Sequence, residues 1–234
     1  MNLKALALLS LAGFSLSGAA HAAITNGGFS SGLTGWTTTG DVSVQSGAAF
    51  LTTASTAFDD DAPSLAGAFN SSGNAAVDTT GVLDAFSGLG VGALDPDPSS
   101  LIFAFEGSAL KQTFSVNAGD TLSFDWQLVT NDPAADYAYV VINGAKTNLA
   151  LASIASTAST PFAFESAASL FSQTFATAQS VTLGLGVVDV NDFSGTTALR
   201  LDNVTLTPIP EPSTAAFGLL AAAAMVRRRR ARQG

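Results

Sequence analysis

The sequence predicts an all-β domain, a two-sheet antiparallel β-sandwich, on three observations. In Thr121-Leu122-Ser123-Phe124-Asp125-Trp126-Gln127-Leu128 every second residue is apolar, the period of a strand with one face on a core and the other toward water. Tyr137 to Ile142 is a β-branched and aromatic run closed by Asn143-Gly144, the residue pair that best fits a two-residue hairpin turn. Eight or nine segments of strand type are punctuated by Gly and Asn/Asp turn chemistry, roughly every 8–12 residues, as in sandwiches and barrels.

Taken in order, Ile24 to Phe29 reads as a first strand, Gly32-Leu33-Thr34-Gly35 as a connection to a buried Trp36, and Asp41 to Gln45 as a second strand. From Thr52 to Ser100 the chain is rich in Gly, Ser, Thr, Ala and Asp with weak alternation, which predicts long loops with short pieces of structure. Leu101 to Glu106, Leu110 to Val116 and Thr121 to Val129 read as three further strands. Tyr137 to Ile142 is apolar on both sides, as a central strand is, and Lys146 to Ser159 suits either a helical turn or a loop. Ser172 to Phe175, Val181 to Val188 and Ala198 to Thr207 complete the set. In the last of these Leu199 and Leu201 fall out of phase with Val204 and Leu206, so a bulge is expected near Asp202-Asn203 to keep both pairs on the core.

Both ends read as address signals. Met1 to Ala22 has one early charge, Lys4, an apolar core from Leu6 to Leu16 and the small-residue site Ala20-His21-Ala22, the layout of a secretory leader handled by the Sec translocon and signal peptidase. At the other end Pro210-Glu211-Pro212 precedes an apolar run from Ser213 to Val226 and then Arg227, Arg228, Arg229 and Arg230. As a helix that run would cover only about 21 Å of a hydrocarbon layer about 30 Å thick. The arginines would stay on the cytoplasmic side. The expected organisation is leader 1–22, one domain over 23–207 and a tail over 208–234.

The ordered triplet, helix and basic end resemble the PEP-CTERM sorting signal of exopolysaccharide-producing Gram-negative bacteria. That resemblance implies an exosortase, a membrane transpeptidase, as partner. It also implies a tethered inner-membrane precursor and a product at the cell surface or outside it. The opening Asn26-Gly27-Gly28-Phe29 with Gly35-Trp36 resembles carbohydrate-binding-module-like jelly rolls of the galactose-binding type; Ser30 stands where those modules often carry a calcium-holding Glu. The run from Gly107 through Asp120 to Leu206 is similar to the middle and end of other exosortase-sorted surface proteins.

Between Ala23 and Thr207 three basic residues, Lys111, Lys146 and Arg200, face seventeen acidic ones, a net charge of −14. Such a field repels nucleic acid and attracts cations. No cysteine occurs, and the one histidine, His21, belongs to the leader. Triad catalysis and His- or Cys-ligated zinc are therefore outside the mature domain's means. Calcium is the cofactor candidate: Asp189, Asn191 and Asp192 supply oxygens in a loop closed by Gly195, and Asp202 sits at the expected bulge, where related jelly rolls place an acidic ligand. Sixteen Phe against two Tyr and two Trp assign most rings to packing, since sugar platforms favour amphipathic rings. Tyr137 and Tyr139, on one strand face near Asp132 and Asp136, are the candidate ligand surface.

These readings lead to an exported, non-catalytic adhesive or structural protein of the exopolysaccharide or biofilm matrix. A carbohydrate-binding module proper is the alternative. A second alternative is a secreted carboxylate-dependent hydrolase using Asp125 and Glu106, since glycoside hydrolysis needs two facing carboxylates.

Overall fold

A computed structural model of the chain describes residues 23–57, 64–65, 67–132 and 135–209. The leader, the Asp59-Asp60-Asp61 run and the Pro210 to Arg230 tail lie outside the described residues. Along the chain come β1 (Thr37–Thr39), β2 (Asp41–Gln45), β3 (Ala48–Thr52), β4 (Val77–Asp78), β5 (Ala104–Val116) and β6 (Thr121–Thr130). They are followed by β7 (Tyr137–Ile142), β8 (Ala145–Leu151), β9 (Thr157–Ala158), β10 (Phe164–Glu165), β11 (Ser169–Thr174), β12 (Gln179–Val190) and β13 (Thr197–Thr207).

All pairings are antiparallel and form two sheets. The first has the order β1-β5-β12-β7-β8, with β4 also on β5; the second has β2-β3-β13-β6-β10-β9, with β11 also on β6. This is the two-sheet sandwich that the alternation predicts. Between the sheets Leu122, Phe124, Trp126 and Leu128 of β6 meet Leu110, Val140, Leu183 and Leu185 of the first sheet in one apolar core. Asn143 and Gly144 turn the β7–β8 hairpin at φ 51° and 80°, the left-handed pair that a two-residue turn matching strand twist requires. The expected bulge is present: the β13–β6 register shifts between Asp202 and Thr205, with Asn203 at φ 52°.

Three sequence expectations are corrected. Residues 24–29 form turns rather than a strand, because the Asn26 side chain substitutes for ladder partners: its Nδ2 donates to the Gly32 and Thr34 carbonyls and its Oδ1 accepts from Ser31 N–H. Leu101 to Glu106 and Leu110 to Val116 are not two strands but belong largely to one, β5. Gly107 sits in β5 where a Cβ would lie 2.2 Å from the Val187 carbonyl oxygen, so it marks a close approach and not a turn. The segment from Lys146 is mostly strand, β8, followed by a short helical turn at Ala152–Ile154.

The largest difference concerns the outer face of the first sheet. Tyr137, Tyr139, Val141, Val188 and Val190 make that face apolar, and it is roofed by Leu83 and Leu94 with Val77, Phe86 and Leu89 packed alongside. The segment 77–100, expected as long loops with short pieces of structure, has that character, with β4 and short helical turns, and packs as a third layer. Asp84 shapes it by accepting from Gly92 N–H at 2.7 Å and Leu94 N–H at 3.2 Å. Lys111 Nζ fastens it from below, donating to the Phe86 carbonyl at 2.8 Å. Among the described residues no helix is long and apolar enough to cross a membrane.

Candidate functional site

With one outer face roofed, the open face is that of the second sheet. Alternation puts Ser123, Asp125, Gln127 and Val129 of β6 outward, opposite the core set. Register then lines up side chains across strands: Ser43 of β2 stands opposite Phe50 of β3, Phe50 opposite Arg200 of β13, and Arg200 opposite Gln127. One step along, Asp202 stands opposite Asp125.

Two hollows lie over this row. The first, about 430 Å³, is bounded by Asp125, Asp202, Asn203 and the exposed Leu170 at the start of β11. The second, about 560 Å³, is bounded by Phe50, Phe69, Phe162, Ser43, Ser71 and Glu165. Gln127 and Arg200 line both, so the hollows adjoin at this pair and together make a trough across the strands. Its walls are built locally. Buried Asp41 pins one wall, its carboxylate accepting from Ser71 N–H at 2.9 Å and Ser72 N–H at 2.6 Å. The opposite wall is the β9–β10 hairpin, whose Ala163 N–H donates to Asn131 Oδ1 at 2.9 Å. Phe162 meets Phe69 at 4.8 Å and Phe50 at 5.9 Å between ring centroids. At 5% exposure Phe162 is a wall support and not a stacking platform.

The polar groups of the trough are oriented. Gln127 Nε2 donates to the Ser166 carbonyl at 3.0 Å. The bulge swings Asn203 back over the sheet, where its Nδ2 donates to Asp125 Oδ2 at 2.8 Å and its N–H to Asp202 Oδ1 at 2.7 Å. Glu165 Oε2 accepts from Ser159 Oγ at 2.8 Å. Arg200 is exposed, and among the described residues its guanidinium has no ion-pair partner.

The residues singled out in the sequence fall elsewhere. Tyr137 and Tyr139 are 1% and 0% exposed, which removes them as a ligand surface. Tyr137 donates to the Leu94 carbonyl and receives Lys146 Nζ at 3.1 Å, and the Tyr139 hydroxyl meets Ser87 Oγ at 2.9 Å. Burial pushes both phenols up and Lys146 down.

Of the four calcium candidates, Asp189 and Asp192 lie near enough for their charges to repel. Asn191 Oδ1 accepts from Phe103 N–H at 3.2 Å and Asp192 caps Ser194 N–H at 2.8 Å, while Asp202 lies on the trough. Among the described residues no group of three or more His, Cys, Asp or Glu side chains is placed to hold a metal. Asp189, 2% exposed, instead shares a buried end of the sandwich with Asp136 at 0%. Asp136 accepts from Val190 N–H at 2.9 Å and Thr197 Oγ1 at 2.6 Å, whereas Asp189 Oδ1 is buried without a hydrogen-bond partner. Burial, with the neighbouring carboxylates adding repulsion, pushes Asp136 up to about 7 and Asp189 up to about 10. Glu106 adds to that repulsion on Asp189 and is 7% exposed on β5. It therefore does not face Asp125 of the second sheet across a cleft, and the carboxylate pair a hydrolase would need is not assembled.

No protein-family model matches the sequence, and no curated protein matches it. Among solved structures the chain is similar to one described as "CBM4 structure and function", at 12% identity and a TM-score of 0.36, over 80% of this chain and 99% of that one.

Proposed function

We propose that the domain binds polysaccharide along the trough on the outer face of the second sheet, as a non-catalytic module displayed outside the cell. The observation that carries this reading is the continuous trough itself: outward Ser43, Phe50, Arg200 and Gln127 in one cross-strand row, shared by two hollows. Polysaccharide recognition calls for an open, elongated depression, hydroxyl-competent side chains held in place and apolar surface beside them. Gln127 supplies the first kind of group, and Phe50, Phe69 and Leu170 supply the second. The absence of His and Cys beyond His21 favours binding over turnover.

Export and exosortase processing through Pro210-Glu211-Pro212 and Arg227 to Arg230 complete the proposal, on the sequence signals alone. They would set the module in the extracellular polysaccharide with an adhesive or structural role. Affinity electrophoresis against polysaccharides of the producing strain tests the binding. Retardation that Gln127→Ala weakens about tenfold is expected, given the loss of a buried-edge hydrogen-bonding group; no retardation by any of them overturns it. For the sorting, Glu211→Ala is expected to leave uncleaved precursor in the membrane, and normal processing of that variant refutes the assignment.

A further inference from the structure

Three basic side chains serve the domain. Lys111 and Lys146 are spent on fastening the roof of the first sheet, to the Phe86 carbonyl and the Tyr137 hydroxyl. Arg200 alone stands on the open face, at the waist where the two hollows meet. Acidic side chains lie close by, yet they are turned to other donors: Asp125 and Asp202 to Asn203, and Glu165 to Ser159. The planar fork of the guanidinium is thus left exposed in a strongly negative surround, between Phe50 on one side and Gln127 on the other. An arginine presents five donors in a geometry that matches a carboxylate bidentately, and such charge-assisted pairs are about twice as strong as neutral ones.

Resting on the trough as the polysaccharide site, we propose that its ligand is a saccharide bearing isolated carboxylates, a uronate type of repeat, with one carboxylate seated on Arg200. The surrounding acids shape this preference. Asp125, Asp202 and Glu165 repel a contiguous polyanion but leave room for one anionic group at the waist, with neutral sugars over the flanking hollows. Selection for sparse acidity over both neutral and densely charged polymers follows from that charge pattern.

The test uses the full-length chain in detergent and two forms of one polymer: gellan, which carries one uronate per repeat, and the same gellan with its carboxylates reduced to alcohols. Native gellan is expected to bind about tenfold more tightly than the reduced form, corresponding to one charge-assisted pair. Arg200→Gln is expected to abolish the preference, lowering native-gellan affinity about tenfold and the reduced polymer's affinity far less, and Arg200→Lys to restore part of the loss. Added salt should weaken only the native interaction. Equal binding of the two forms, or a loss in Arg200→Gln that is the same for both, overturns the proposal. Gln127→Ala separates the two readings. If it weakens both forms while Arg200→Gln weakens neither selectively, the trough stands and the acidic ligand falls. If neither form binds, the acidic ligand falls while the trough is judged on the strain's own polysaccharides; if both forms bind and Gln127→Ala changes neither, the trough reading falls and takes the acidic ligand with it.

Discussion

Gly186 of β12 stands opposite Tyr139 in the first sheet, and a Cβ built there would lie 2.4 Å from the Tyr139 hydroxyl oxygen. The glycine is the recess into which the ring is laid, so a buried tyrosine and a missing side chain are one feature. Gly186→Ala is expected to cost about 1–3 kcal/mol by overpacking, read as a lower denaturant midpoint at unchanged slope. At the other buried polar site, Asp136 and Asp189 keep their protons in the fold at pH values where the unfolded chain, with carboxyls near 3.8, has released them. The folded state then binds more protons, so stability falls as pH rises. It is fully present below about pH 4 and is lost progressively as pH rises above that, the Asp136 share being gone by about 7 and the Asp189 share by about 10, the folded values of the two groups. The melting midpoint should therefore fall between pH 5 and 10. Asp189→Asn, which cannot ionise, should melt above the parent at pH 9 and level with it at pH 4; a flat or rising midpoint over that range in the parent contradicts this account.

At the scale of elements, the β9–β10 hairpin is a wall held by a few rings. Phe162→Ala is expected to cost about 3 kcal/mol of stability and to open the hollow over Phe50, which amide exchange of 157–165 measures against the unchanged β5–β12 ladder. Little in the sequence announces this hairpin, since its strands are two residues each and alternation has no length in which to show. The long strands were legible for the opposite reason: β6 alternates without interruption, and the phase slip between Leu201 and Val204 located the bulge. Tyr137 to Ile142 was legible as a central strand, and its two apolar faces already implied that Tyr137 and Tyr139 are covered. The cover stayed hidden because Val77, Leu83, Phe86, Leu89 and Leu94 follow neither period. Arg200 and Gln127 were visible as polar positions on alternating strands, but only the pairing of β13 with β6 and β3 sets them in one row with Phe50.

For the molecule as a whole, the two sheets are treated unequally. Among the described residues one carries its own roof and the other does not, which leaves the second sheet's outer face for contact. Asp202 lies on that face while Asp189 and Asp136 lie at a buried end. Adding a chelator should leave the thermal midpoint unchanged, since a metal that binds only the folded state must raise it; a drop on chelation would show that these carboxylates converge after all. Arg200 and Ile209, the last described residue, belong to the same run of chain, with β13 hydrogen-bonded along one side to β6 and along part of the other to β3. The bonds of an antiparallel ladder lie across the strand axis. Under the proposed binding, a pull between a polymer seated at the waist and the chain past residue 209 would therefore be carried lengthwise by one strand, straining its cross-links side by side instead of unzipping them in turn.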